Sequence, residues 1–327
     1  MSFSKNVKEE LSKQISPARH CRISELAAII SLSGHVKITE HNRLILKIQT
    51  ENILLARKCF TLIQKTFKIN TEIIIRNNQG NNSNLYKLIV IDHNMVLKVL
   101  QATKLIDKNY EIRENFSITS NLVIQNTCCK RAFIRGAFLA VGSISNPKKD
   151  YHFELVVPFK EKAIQLQKVI ATFSIRAKII KRKKNYVIYL KEGSQIVNIL
   201  NVMEAHVALM DLENVRIYKG MRNSINRQVN CEAANIGKTV RAATKQIEDI
   251  NYIIDNKSSL LLSDNLKEVA NLRINHPDAS LKELGEMLNP PLGKSGVNHR
   301  LRKINQIADK LREQKEEISN DKETDYD

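Results

Sequence analysis

Asn298, His299, Arg300, Arg302 and Lys303 bring amide, imidazole, guanidinium and ammonium groups together in one short stretch, with Lys294 and Ser295 just before them. Amides and guanidinium groups pair with base edges, and ammonium groups hold phosphates. The surrounding apolar residues place this stretch on a helix. Val297, Leu301, Ile304, Ala308 and Leu311 form an inward stripe, and Ser295 is positioned to cap the helix start. A second, shorter helix precedes it. Ser280 and Glu283 make an S-x-x-E capping box, so that helix starts at Leu281, with Leu281, Leu284 and Leu288 on one face. Asn289-Pro290-Pro291 stops it, because proline lacks an amide and restricts the residue before it. A helix, a breaker and a second helix with a basic outer face make a helix-turn-helix. Its second helix would enter a major groove, with the helix-start amides and Ser295 on a phosphate. The plainer alternative is a helical hairpin with a solvated basic face. The turn over 289–294 is longer than the roughly three or four residues usual for the motif, which leaves the register of the second helix open.

Two other groups have the same chemistry at lower specificity. Lys181, Arg182, Lys183 and Lys184, with Lys178 nearby, form a basic hairpin turn that either lies on a nucleic-acid backbone or is simply solvated. Arg222, Asn226 and Arg227 fall in an asparagine-rich basic helix. They hold phosphates, dock two domains together, or belong to an interdomain helix solvated by its charges.

Other chemistry is missing from the linear pattern. The five cysteines, Cys21, Cys59, Cys128, Cys129 and Cys231, are odd in number and contain no C-x-x-C pair. The histidines never fall at metal-ligand spacing with cysteines or acids. Reduced thiols, no metal site and no cofactor are expected. No G-x-x-x-x-G-K-[ST], G-x-S-x-G or H-E-x-x-H pattern occurs, so no enzyme is expected.

Net charge points the same way. The 327 residues hold 52 basic and 34 acidic side chains, for a net +18. The stretch 313–327 is −5, which leaves +23 on the remainder and favours a polyanionic partner. A lysine-rich composition raises charge without function, and this chain is rich in Lys, Asn and Ile. The acidic stretch reads as a disordered tail. No apolar run reaches ~18 residues, and MSFSKNVKEEL lacks the apolar core of a signal peptide. A cytoplasmic, nucleoid-associated protein without membrane contact is expected.

The elements that must position these groups fall into an α+β pattern. Helices are expected at 3–16, 22–33, 51–67 and 94–102, with strands at 35–39, 43–49, 71–76 and 85–91 around an asparagine-rich loop, 77–84. The order then recurs, with helices at 127–141, 159–172 and 194–201 and strands at 151–157, 175–180 and 186–191. CRISELAAIISLSG (21–34) aligns without gaps to CKRAFIRGAFLAVG (129–142), pairing Cys21 with Cys129, Ala28 with Gly136 and Gly34 with Gly142. Small residues at Ala28, Gly136 and Ala140 let two helix backbones approach. The terminal glycines suit the positive φ of a helix C-cap. An internal duplication follows. The expected domains are 1–220, in half-repeats of about 1–105 and 110–220, then a helical linker over 221–260, a helix-turn-helix domain over 261–312 and the tail.

LAAIISLSG (26–34) and IRGAFLAVG (134–142) resemble degenerate LAGLIDADG helices, the pseudo-twofold pair at the centre of a homing-endonuclease fold. RAFIRGAFLAVGSISNPKKDYHFEL (131–155), RNSINRQVNCEAAN (222–235) and HPDASLKELGEML with SGVNHRLRKINQIA (276–308) are similar to the bacterial WhiA regulators. The resemblance implies a LAGLIDADG-like domain and a helix-turn-helix similar to sigma factor region 4. It also implies a DNA-binding role in sporulation, or in cell division and chromosome segregation. An active nuclease of that fold needs a carboxylate at the eighth position of each motif to hold a divalent metal. Here those positions are Ser33 and Val141, and the sixth positions are Ser31 and Leu139. Glu25 and Glu154 read as ordinary surface or strand carboxylates rather than substitutes. Three functions stay open: a sequence-specific regulator binding double-stranded DNA, with other regulatory or division proteins as partners; a chromosome organiser of low specificity; and, disfavoured by Ser33 and Val141, an active endonuclease.

Overall fold

Helices α2 (Arg19–Ser33) and α5 (Thr127–Val141) lie against each other at the centre of the first of two units, Met1–Gly220 and Met221–Asp327. The computed structural model describes residues 2–78, 83–106, 121–256, 258 and 262–323. Around α2 are α1 (Phe3–Lys13), β1 (Gly34–Ile38), β2 (Leu44–Thr50), α3 (Ile53–Phe67), β3 (Glu72–Asn78), β4 (Ser83–Val90) and α4 (His93–Ala102). Around α5 are β5 (Gly142–Ile144), β6 (Phe153–Val157), α6 (Lys160–Ala171), β7 (Lys178–Arg182), β8 (Asn185–Leu190) and α7 (Gly193–Met203). The two antiparallel sheets have the same strand order, β1-β2-β4-β3 and β5-β6-β8-β7. Matching helices and matching sheet order make the first unit a duplicated α+β fold. Period-two patterning orients each sheet: Leu44, Leu46 and Ile48 of β2, and Phe153, Leu155 and Val157 of β6, face the core.

The α2–α5 interface depends on small residues. A Cβ added at Gly136 would meet the Glu25 carbonyl oxygen at 2.5 Å and the Ala28 Cβ at 3.2 Å. The glycines that end these helices have a different role from the expected left-handed cap. Gly34 and Gly142 have φ of −92° and −87°, in extended backbone. Each turns its helix directly into a strand, so close to the last turn that a Cβ would fall 2.5 Å from the Ile30 oxygen or 2.3 Å from Phe138 Cδ2. Close approach, rather than positive φ, requires glycine here. It also creates β5, which the alternation was too short to reveal.

The second unit is helical. α8 (His206–Asp255) crosses the boundary between the units, followed by α9 (Asp264–Asn275), α10 (Leu281–Glu286) and α11 (Lys294–Glu323). The expected linker is therefore not a separate element, because no proline interrupts residues 206–255. Ile250 and Ile253 of α8 join Leu266, Val269, Leu284, Leu288, Val297, Leu301, Ile304 and Ala308 in one core. Asp249 anchors α11 to α8 through the Arg312 guanidinium at 2.6 Å, and that guanidinium also lies over the Tyr252 ring. The acidic stretch was expected to be disordered, but α11 continues through it to Glu323. Its first acids sit on the same helix as the Arg312 anchor. Residues 324–327, and 79–82 of the asparagine-rich loop, lie outside the described residues.

Candidate nucleic-acid interface

α10 and α11 form the helix-turn-helix. The capping box holds as the sequence implies: Glu283 N–H donates to Ser280 Oγ, and Ser280 N–H donates to Glu283 Oε2 at 2.7 Å. The turn folds back on α10, with Leu292 N–H donating to the Gly285 carbonyl at 2.9 Å. α11 then starts at Lys294, and Gly293 accepts the first helical bonds from Gly296 and Val297. Ser295 is therefore inside the first turn, not the cap, because the long turn delivers the chain in helical register two residues earlier.

A helix turns about 100° per residue, so the buried Val297, Leu301, Ile304 and Ala308 fix the opposite face. That face carries Ser295, His299, Arg302 and Lys303, all exposed. Gln306 and Lys310 extend it and are exposed too. The sequence reading missed both because it counted only the start of the helix. Asn298 and Arg300 lie on the flanks and are half-buried. Arg300 turns towards α9 and donates to the Asn265 carbonyl at 3.4 Å. Lys294 stands exposed at the helix start.

The basic hairpin is tighter than expected. Lys181 and Arg182 belong to β7, with Arg182 paired to Asn185, and only Lys183 and Lys184 form the turn. All four are exposed, while Arg182 also approaches Glu154 at 3.7 Å. β7 is an edge strand, where lysines also serve to discourage pairing with another strand. On α8, Arg222, Asn226 and Arg227 are exposed, and Arg227 Nε donates to the Asn223 carbonyl on its own helix.

The LAGLIDADG resemblance implies that a nuclease's metal would lie at the C-terminal ends of α2 and α5. Ser33 and Val141 are half-buried there, and neither offers a carboxylate. The Lys162 ammonium, on α6, donates to the Ser31 carbonyl at the same end of α2. A cation already sits at the negative end of that helix, so these residues do not fit a divalent metal. Burial lowers the Lys162 pKa to about 8.

Glu25 is not a surface carboxylate. It is fully buried, accepting from Lys58 Nζ at 2.7 Å and from Arg135 Nε at 3.2 Å. Lys58 also donates to the carbonyls of Leu11 and Gln14, and Arg135 reaches Glu204 at 2.6 Å. Burial pushes the Lys58 pKa down, opposed by its carboxylate partner. This network ties α1, α2, α3 and α5 together and is structural. Glu154 behaves as a strand carboxylate, accepting from Ser143 Oγ at 3.0 Å.

The absence of metal-ligand spacing along the chain does not carry over to space. His20, Cys21, Cys128 and Cys129 come together at the first turns of α2 and α5.

Comparison with known proteins places these units. Models of the WhiA N-terminal LAGLIDADG-like domain, the WhiA LAGLIDADG-like domain and the WhiA C-terminal HTH domain match residues 19–106, 130–222 and 225–308. The probable cell division protein WhiA of Lachnoclostridium phytofermentans is 59% identical over 314 residues, covering 96% of this chain and all of the relative. That of Alkaliphilus metalliredigens is 49% identical, covering 95% of this chain and 99% of the relative. The crystal structure of full-length WhiA from T. maritima aligns with a TM-score of 0.59 at 25% identity, covering 95% of this chain and 99% of that one.

Proposed function

Because the chain belongs to the WhiA family, we propose that it is a DNA-binding transcriptional regulator acting in cell division and chromosome segregation, with α11 as its reading head. One observation carries this reading. Ser295, His299, Arg302, Lys303 and Gln306 form an exposed polar and basic face on α11, directly opposite the residues that make the domain core. The helix is thus held rigidly from behind while its front presents donors suited to base edges and phosphates. Lys294 adds charge at the helix start. Asn298 and Arg300 frame the contact from its flanks rather than entering the groove first. Arg182, Lys181, Lys183, Lys184, Arg222 and Arg227 would add sequence-independent phosphate contacts, with Asn226 beside them. The partner is double-stranded DNA, with regulatory or division proteins alongside, and the protein works in the cytoplasm at the nucleoid. Among the described residues no helix is long and apolar enough to cross a membrane.

We read the LAGLIDADG-like unit as a scaffold without nuclease activity. Ser33, Val141 and the Lys162 ammonium support this, since none can act as a carboxylate ligand to a metal. A second reading, a chromosome organiser of low specificity, draws on the exposed basic residues of α8 and β7. Genome-wide mapping of bound DNA separates the two. Sharp sites with a shared motif, lost in an Arg302→Ala strain, fit a regulator. Broad occupancy indifferent to that substitution fits an organiser.

A further inference from the structure

We propose that His20, Cys21, Cys128 and Cys129 form a binding site for one thiophilic divalent cation of the zinc class, clamping the first turns of α2 and α5 together. The four ligand atoms all lie within 4.8 Å of one another. His20 Nδ1 is 3.2 Å from Cys129 Sγ, 3.4 Å from Cys21 Sγ and 4.0 Å from Cys128 Sγ. Zinc takes thiolate at ~2.3 Å and imidazole at ~2.0 Å, so the edge of its tetrahedron is about 3.6 Å. The three observed separations bracket that edge, and small rotations of the side chains would close the ligands on one ion.

The placement follows from the duplication. Under the alignment of the two halves, His20-Cys21 corresponds to Cys128-Cys129, so each repeat contributes an adjacent pair. Cys21 and Cys129 are buried, and His20 and Cys128 are exposed. The Ser24 hydroxyl already joins the two helices here, donating to the Cys129 carbonyl at 2.7 Å. Cys21 and Cys128 also line a cleft of about 460 Å³, which gives an ion a way in. Three thiolates, a neutral imidazole and a divalent ion leave one negative charge. The amide ends of two helices favour that charge. Binding releases one proton from each thiol and moves no electrons. Ser33 and Val141 are at the other ends of these helices, about 18 Å away at ~1.5 Å per residue, so the site is distinct from the fold's catalytic position.

The test uses the full chain purified under reducing conditions without chelator. Elemental analysis should find one zinc per chain. Cobalt(II) added to metal-stripped protein should give the intense visible bands of a tetrahedral ion and thiolate charge transfer in the near ultraviolet. His20→Ala and Cys128→Ser alter exposed positions, so the fold should persist by circular dichroism. Each should weaken cobalt binding by more than the roughly 10–100-fold typical of changes one layer further out. Cys231→Ser should leave the spectrum intact. Three results would overturn the proposal: folded, reduced protein with far less than one metal per chain; an unchanged cobalt spectrum in the His20→Ala, Cys128→Ser double variant; or a disulfide among Cys21, Cys128 and Cys129 in freshly isolated protein.

Discussion

Gly136 and Ala28 meet across the α2–α5 interface with no room for a side chain between them. A Cβ on Gly136 would lie 3.2 Å from that of Ala28 and 2.5 Å from the Glu25 carbonyl oxygen. Gly136→Leu should therefore force the helices apart at a cost of roughly 1–3 kcal/mol or more. Urea unfolding followed by circular dichroism should show an earlier transition. An unchanged midpoint would mean that this contact does not hold the two halves together.

The outward face of α11 makes a graded prediction for DNA binding. Arg302→Ala should lose about 1–3 kcal/mol on the preferred site and relax discrimination there. Lys303→Ala should weaken all sequences alike and flatten the salt slope by about one unit. Arg300→Ala should have the smaller effect on discrimination, since its guanidinium reaches the Asn265 carbonyl. Binding isotherms at several salt concentrations, on matched and mismatched duplexes, test this ordering. Loss of specificity in Arg300→Ala alone would reverse it.

Leu301→Ala should abolish DNA binding by another route. Leu301 is buried in the core of the second unit, and its truncation should cost about 2–5 kcal/mol. Loss of helical signal should accompany loss of binding. A variant that stays folded and still fails to bind would implicate Leu301 in contact rather than packing.

Purified protein should leave supercoiled plasmid intact with Mg²⁺ or Mn²⁺. The sixth and eighth motif positions lack carboxylates, and Lys162 already binds the end of α2. Cleavage that survives stringent purification, and is lost on substitution in the first unit, would refute a silent scaffold.

Lys162 gives the first unit a pH signature. Burial lowers its pKa from 10.5 to about 8 in the folded protein. Between those values the unfolded chain binds more protons, so this group's contribution to stability rises with pH. Compared with Lys162→Met, the native protein should gain stability from about pH 7 to about pH 10. Buried cysteines act in the opposite direction but are common to both proteins. A constant difference in unfolding free energy across that range would argue against the depressed lysine.

Much of this was readable from local pattern. Ser280 and Glu283 announced the start of α10 because a capping box is a short-range interaction. The gapless match of 21–34 to 129–142 revealed the repeat. Gly34 and Gly142 were correctly placed at helix ends, but their reason was contact with the preceding turn, which only packing shows. Glu25 looked like a surface carboxylate because its cations, Lys58 and Arg135, come from distant segments. His20 and Cys21 had no ligand partner within reach along the chain, since Cys128 and Cys129 are brought to them by the other repeat. Side-chain direction on α11 needed the start of the helix, and a two-residue difference moved Ser295 from cap to face.

The Glu25–Arg135 contact joins the repeats asymmetrically, and this bears on how the chain could ever be divided. Under the alignment of the halves, the counterpart of Glu25 is Phe133 and that of Arg135 is Ala27. Two copies of the first half, paired as α2 pairs with α5, would bury two glutamates with no guanidinium. Two copies of the second half would bury two arginines with Glu204 but without Glu25. Each Glu25 would keep Lys58 and each Arg135 would keep Glu204, but both arrangements would lose the carboxylate–guanidinium pair that crosses between the repeats. Each half therefore supplies one side of a buried ion pair that the other half completes. A symmetric dimer of either repeat would lack this one-sided pairing of carboxylate with guanidinium.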